Sequence, residues 1–276
     1  MADRSRLYRT KALILRRRDY GDADRILTLF SPDKGRMVVI AKGVRKTSSR
    51  KAGHLELFTH STLLLAQART WDIITEAQTV EAFPALRTDL DAISRAGYLC
   101  ELAEAFSESD DDHKSLWDLT LGMLRELDVA CAEENDLDRN VLLTWFVLHL
   151  LSLSGFQPNF FTCLACGEEI KPETNFLSIT DGGLFCPRCA QSQPGLEAVE
   201  PDVLKVLRYL QIQPWPVARV LRVRPQPMRR MENILHRTLM ATLERQLRSV
   251  DFLRRMQNDP RFFPTQTSGI TPDAHS

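Results

Sequence analysis

Four cysteines form two closely spaced pairs in the second half of the chain, Cys163-x-x-Cys166 and Cys186-x-x-Cys189, with 19 residues between the pairs. Two CxxC turns at this separation are typical of a tetrahedral zinc site, because each turn directs two thiolates at one ion. Gly167 follows the first pair, where a positive φ lets backbone N–H groups turn toward the sulfurs. Four thiolates fill the coordination sphere, so the spacing predicts a structural Zn²⁺ without an open catalytic position.

Other uses of these cysteines are less well supported by the sequence. Two disulfides would need the same residues, but a reducing compartment disfavours them. A zinc-dependent nucleobase enzyme needs a His-x-Glu and a Pro-Cys-x-x-Cys; His54-x-Glu56 lies far upstream, and Phe185 precedes Cys186. A zinc-dependent nucleobase enzyme therefore remains the alternative hypothesis from a different functional class. The chain has no GxxxxGK[ST] or GxGxxG sequence, so nothing in it supports nucleotide binding.

Basic side chains are concentrated in the first third of the chain. Residues 1–80 hold 16 Lys and Arg against 8 Asp and Glu, although the whole chain has 36 of each. Such a density of positive charge attracts phosphate backbones and releases their counterions on binding. The alternative interpretation is a basic face that contacts only solvent. The candidate DNA-binding residues are Arg16, Arg17, Arg18, Arg25, Arg36, Lys42, Arg45, Lys46, Arg50 and Lys51.

Strand-like segments fill the same region and must position these cations. Residues 10–18, 25–30, 37–44, 54–65 and 71–80 are rich in β-formers and are separated by turn sequences. Five short strands predict a small OB-fold barrel, with an SH3-like barrel as the alternative, and strand ends and loops would gather the cations into one groove. We expect Phe30, Phe58 and Trp71 in the core, so binding should be mainly electrostatic and tolerant of sequence.

The pattern becomes helical after Pro84, which gives an α+β chain with helices predicted near 86–106, 116–131, 138–153, 200–211 and 228–250. The predicted divisions are an OB-fold domain at 1–82, a helical domain at 83–158 and 194–258, an inserted zinc-binding module at 159–193 and a flexible tail at 259–276. The longest apolar stretch, 141–153, is shorter than a membrane span, and the charged N-terminus has no apolar segment. We therefore expect a cytoplasmic protein without membrane contact.

Several segments, in order, resemble one known family. They are residues 11–31 (KALILRRRDYGDADRILTLFS), Lys34-Gly35-Arg36, residues 41–46 (AKGVRK), Leu57-Phe58-Thr59, residues 154–158 (SGFQP) and residues 247–253 (LRSVDFL). Over nearly its full length the chain is similar to the RecO family of bacterial DNA repair and recombination mediators. The resemblance implies an N-terminal OB domain, a helical domain and a four-cysteine zinc module.

The resemblance also implies a non-enzymatic, nucleoid-associated role. Such proteins bind single- and double-stranded DNA and anneal complementary strands. With RecR they help RecA displace the single-stranded-DNA-binding protein, whose acidic tail in some relatives enters a groove of the helical domain. The matching basic positions here are Arg36, Lys42, Arg45, Lys46 and Arg50. An RNA-binding protein of the same OB and zinc architecture is the alternative within this broad class.

Overall fold

The computed structural model describes residues 7–88, 90–107, 113–133 and 137–243. The predicted tail at 259–276, the end of the predicted helical domain at 244–258 and the family-like segment at 247–253 lie outside the described residues. In the described part of the chain, no helix is both long enough and apolar enough to cross a membrane.

The N-terminal strands form the predicted five-stranded barrel. They are β1 (Leu7–Tyr20), β2 (Asp24–Ser31), β3 (Gly35–Ala41), β4 (His60–Ala66) and β5 (Asp72–Glu81), closed in the order β1-β2-β3-β5-β4. Strand β1 is long enough to pair with both β2 and β4, and its register shifts between Ile14 and Arg16, where it passes from one neighbour to the other. The β3–β5 pair is parallel and the other pairs are antiparallel. The α+β class with an N-terminal OB-fold is confirmed.

The predicted strand at 54–65 is wrong in its first half. Residues Ala52–Leu55 form a 3₁₀ turn, and Phe58 has a φ of 65°. The backbone N–H of Phe58 donates to the Ile14 carbonyl at 2.9 Å, and the Ile14 N–H donates to the Thr59 carbonyl at 3.1 Å. Leu55 is buried in the barrel core and Phe58 in the larger core beneath the barrel. Burial on both sides therefore produced an apolar spacing that imitates a strand.

Helices make up most of the second part of the molecule. A 3₁₀ turn (Pro84–Arg87) precedes α1 (Leu90–Phe106), α2 (His113–Ala132) and α3 (Arg139–Leu153), followed later by α5 (Pro201–Ile212), α6 (Trp215–Ala218) and α7 (Pro225–Leu243). Helix α3 is apolar on all sides and packs at the centre. Its N-terminus is capped by the Asp138 carboxylate, which accepts from the backbone N–H groups of Asn140 and Val141.

A small three-stranded sheet comes between α3 and α5 in the sequence. Strands β6 (Asn175–Ser178), β7 (Gly183–Phe185) and β8 (Glu197–Val199) pair in the order β7-β6-β8, and the short helix α4 (Pro187–Ala190) follows β7. Strand β8 lies in the range 194–258, which the sequence analysis assigns to the helical domain. In the structure it pairs with β6 of the cysteine-bearing segment.

A buried carboxylate and an aromatic contact are among the links between the barrel and the helices. The Glu104 side chain on α1 is 7% exposed and accepts from Arg16 at 2.5 Å and from Arg36 at 2.9 Å. Beside it, the Phe30 ring lies 5.9 Å from that of Trp117 on α2. Gly35 has a positive φ of 60°, and a Cβ there would also lie 3.0 Å from the Ser107 carbonyl oxygen, so the position before Arg36 favours glycine. This joint covers one end of the barrel's outer face.

We predict that Glu104→Gln lowers the free energy of unfolding by about 1–2 kcal/mol, because the amide cannot neutralise two guanidinium groups at a buried position. The loss is limited because Arg16 and Arg36 keep 56% and 36% of their side-chain surface exposed. Urea unfolding at neutral pH measures it. The control Glu76→Gln, 69% exposed and 3.8 Å from Arg9, should change stability by less than about 0.5 kcal/mol. Equal losses of stability in both variants would contradict a stabilising role of Glu104 at this joint.

Candidate nucleic-acid interface and metal centre

Three segments of the barrel meet at the end that the helices leave open. The Arg45 N–H donates to the Ala23 carbonyl at 2.9 Å, and the Gly43 N–H donates to the Asp24 carboxylate at 2.7 Å. Residues Val39 and Ile40 pair with the start of β5. We call this region, residues 18–24, 42–51 and 69–72, the loop end.

Six of the ten predicted DNA-binding residues already hold partners within the protein. Arg16 and Arg36 bind Glu104 at the joint. Arg17 binds Glu56, which also lies 3.8 Å from Arg25. The Asp19 carboxylate accepts from Arg25 at 3.0 Å and lies 3.3 Å from Arg45. Hydrogen bonding from Arg25, followed by the charges of Arg45 and Arg17, lowers the pKa of Asp19 and keeps it anionic.

Lys51 is the sixth engaged residue, and its partners are carbonyl groups. Its ammonium donates to the Ile74 carbonyl at 2.9 Å and to the Lys42 carbonyl at 3.4 Å. Burial lowers the pKa of Lys51. This side chain therefore fastens the 42–51 loop to β5.

The other four predicted residues are Arg18, Lys42, Lys46 and Arg50. All are exposed, and none forms an ion pair with another described residue. They lie in the two segments that the Arg45 and Gly43 hydrogen bonds hold together. The structure therefore brings four uncommitted positive charges to the loop end, an arrangement suited to binding phosphates without reading bases.

The expected burial of the aromatic residues is confirmed for two of the three. Phe30 and Phe58 are 0% and 2% exposed. The prediction for Trp71 is wrong, because its ring is half-buried at the loop end and lies edge-on to Tyr20, with ring centroids 5.5 Å apart. Trp71 directly follows the polar turn 67–70 and precedes β5 by one residue, a position that favours the rim of a barrel over its interior.

The four predicted metal ligands come together. The Sγ atoms of Cys163, Cys166, Cys186 and Cys189 lie within 4.8 Å of one another, and in the described part of the chain they are the one such group of His, Cys, Asp or Glu. Gly167 has the expected positive φ of 73°, and the turn between β6 and β7 ends at Gly182, with a φ of 68°. Four thiolates around one ion at about 2.3 Å would stand about 3.8 Å apart, so the cluster fits a metal ion.

The electrostatic surroundings of the thiols favour a cation. Burial would raise the pKa of Cys163, but backbone N–H groups of Cys166, Cys186 and Ala165 donate toward its sulfur and bring the pKa down to about 6. The thiol of Cys189 hydrogen-bonds to Cys186, which raises its pKa to about 12 because close sulfurs resist a second negative charge. A bound cation removes this conflict because it lets all four sulfurs ionise.

The cysteine-bearing segment is packed against the helical core. Phe160, Ile170 and Leu184 are each at most 1% exposed and belong to the same apolar cluster as α3 and α5. Arg208 on α5 donates to the carbonyls of Phe160 and Ile170, both at 2.8 Å. The cysteine-bearing segment therefore packs directly against α5.

The residues of the alternative enzyme signature lie elsewhere. His54 is in the 3₁₀ turn of the barrel, where its Nδ1 is 2.8 Å from the Thr79 hydroxyl, and Glu56 binds Arg17. Neither residue belongs to the cysteine cluster. The His-x-Glu pair is therefore not assembled with the four sulfurs, as the enzyme signature would require.

Comparisons with known proteins agree with this architecture. Residues 4–83 match the family model described as Recombination protein O N terminal, and residues 87–251 match Recombination protein O C terminal. The DNA repair protein RecO of Roseiflexus sp. (strain RS-1) is 40% identical over 250 residues, which cover 91% of this chain and 86% of that protein. The same-named protein of Pelotomaculum thermopropionicum is 36% identical over 257 residues, 92% of this chain and 96% of the relative. The RecO protein of Dehalococcoides mccartyi (strain ATCC BAA-2266 / KCTC 15142 / 195) is 34% identical over 246 residues, 89% and 94% of the two chains. The chain therefore belongs to the RecO family, whose role is in DNA repair and recombination.

Proposed function

We propose that this protein is a non-enzymatic DNA-binding mediator that anneals complementary strands during repair. The observation that supports this most directly is the group of four exposed cations without carboxylate partners at the loop end of an OB-fold barrel. Family membership gives the context of DNA repair, and the closed four-sulfur cluster gives no support to zinc-dependent catalysis.

Annealing follows from the proposed surface by simple electrostatics. Two single strands repel each other as polyanions, and lysine and arginine side chains that bind phosphates reduce this repulsion by displacing counterions. Contacts to phosphates leave the base edges free to pair. The protein thus needs no nucleotide hydrolysis to bring two strands together.

Partners are proposed from the family resemblance. Acting with RecR, the protein would help RecA replace the single-stranded-DNA-binding protein on gaps and resected ends, in the cytoplasm at the nucleoid. Residues 81–140 hold 16 acidic and 5 basic side chains, a charge excess that favours a basic partner for this part of the chain.

We predict that replacing Lys42, Lys46 and Arg50 together by Ala lowers affinity for a single-stranded oligonucleotide at least about tenfold at 0.1 M salt. The slope of log affinity against log salt should become shallower by about 2, because three phosphate contacts are lost. Fluorescence anisotropy titrations at several salt concentrations measure both quantities, and the rate of annealing of complementary oligonucleotides should fall in parallel.

The matched control replaces three exposed lysines away from the loop end, Lys114, Lys171 and Lys205, by Ala. It removes the same net charge and should leave affinity within about twofold. If both triple variants bind equally well, the loop end is not the DNA surface. Tighter binding of RNA than of DNA by the parent protein would favour the RNA-binding alternative.

We predict a different outcome for Lys51, although it lies in the same basic segment. Lys51→Ala should lower the free energy of unfolding by about 1 kcal/mol, because two carbonyl groups lose their donor. Lys46→Ala should change it by less than about 0.5 kcal/mol, since Lys46 is exposed. Urea unfolding measures both. A stability loss at Lys46 equal to that at Lys51 would contradict this division of roles.

We also propose that the metal is Zn²⁺, held by all four cysteines. When bound, it supplies structural cross-linking and no reaction step. The purified protein should contain one zinc per chain, released on oxidation of the thiols. Cys166→Ser should lower the melting temperature by roughly 5–10 °C, because metal-binding energy is part of the folding energy.

The control for this prediction is Cys131→Ser, which changes a cysteine outside the cluster and should keep one zinc. Metal analysis and thermal unfolding are the measurements. If Cys166→Ser melts like the parent protein but loses DNA binding, the structural role is wrong.

A further inference from the structure

Two aromatic rings meet at the loop end. Tyr20 ends β1 and is 45% exposed, and Trp71 stands one residue before β5 and is half-buried. Their planes meet at 81°, so the edge of one ring points at the face of the other. Both rings keep part of their surface exposed to solvent in this contact. The other three described tryptophans are at most 8% exposed.

The strand register places both rings on the outer face of the barrel. Leu27 and Val39 point into the barrel core, so their neighbours Ile26 and Ile40, which pair with each other, point outward. Arg18 pairs with Ile26 and therefore shares that face, as does Tyr20 two residues later. Ile40 also pairs with Ile73, and Trp71 lies two residues before Ile73. The helices cover the opposite end of this face, at Phe30 and Arg36.

Positive charges flank the two rings. Arg18 is two residues before Tyr20, Arg69 is two residues before Trp71, and Lys42 directly follows β3; all three are exposed and form no ion pair with a described residue. An apolar protein partner would need a wider apolar patch than these charged neighbours leave. Cations beside exposed rings suit a polyanion that carries planar bases.

Tyr8, the other aromatic of the barrel rim, is already engaged. Its hydroxyl donates to the Asp72 carboxylate at 2.5 Å, and the Lys34 ammonium lies 4.6 Å from its ring centroid. Tyr20 and Trp71 are thus the pair that remains available at the open end.

We propose that Tyr20 and Trp71 form a stacking site for unpaired bases, which makes the loop end selective for single-stranded over duplex DNA. This inference rests on the proposed DNA-binding function and adds to it a contact that charge alone does not supply. A base stacked on a ring keeps its Watson–Crick edge free, so it is still able to pair with a second strand. Once paired, the base is stacked inside a duplex and loses the ring contact, which favours release of the annealed product.

Trp71 supplies a direct test through its fluorescence. Saturation with an oligo(dT) strand should quench the emission of the parent protein, because Trp71 is the one tryptophan of the described part that lies near the surface. Trp71→Phe keeps a stacking ring and should bind within about twofold of the parent while losing the quenching. Emission from the parent protein that does not change at saturation overturns the proposal without any variant.

Affinity measurements separate stacking from charge. Tyr20→Ala and Trp71→Ala should each weaken binding of oligo(dT) at least about fivefold at fixed salt, with an unchanged salt slope. Binding of duplex DNA, and of an abasic oligonucleotide that has the phosphates but no bases, should stay within about twofold. Tyr20→Phe should bind oligo(dT) like the parent. An equal loss on oligo(dT) and on the abasic strand overturns the stacking site and leaves the phosphate surface intact, whereas a parent protein that binds none of these strands overturns the proposed function itself.

Discussion

The attachment of the barrel to the helices decides which part of the barrel is available to a ligand. Glu104, almost fully buried on α1, draws Arg16 of β1 and Arg36 of β3 onto the helical side, and Phe30 packs beside them. One end of the outer face of the sheet is thereby covered. The loop end is left open, with the uncommitted cations and the two aromatic rings on it. The Glu104 joint, together with the apolar contacts beside it, thus decides which end of the barrel stays open.

Formal charge in the sequence overestimates the number of cations that are free to bind a ligand. Most engaged residues are arginines, whose planar guanidinium groups suit paired contacts with carboxylates such as Asp19 and Glu56. The open positions include Lys42 and Lys46, whose flexible ammonium groups suit a mobile polyanion. The basic segment therefore serves two purposes, holding the loop end together and presenting charge to solvent.

Local sequence patterns predict the strands of the barrel and the cysteine cluster, because both depend on residues that are close in sequence. Strands β1 to β3 are β-rich runs between turn sequences, and the cysteine cluster follows from two short turns. The pairing of Arg36 with Glu104 could not be predicted, because 68 residues separate them and only the folded chain brings them together. The predictions of a strand at 54–59 and of a core position for Trp71 are wrong for a related reason. An apolar side chain can pack in a core, lie at the rim of a barrel or contact another ring, and the sequence pattern does not distinguish these environments.

The strand β8 has a consequence for how the molecule unfolds. It pairs with β6 of the cysteine-bearing sheet and ends at Val199, and α5 begins at Pro201, so one residue separates the sheet from the helical core. A linker this short transmits any loosening of the sheet directly to the first turn of α5. The sheet and the helices around it should therefore melt as a single cooperative unit, unlike modules joined by a long flexible tether.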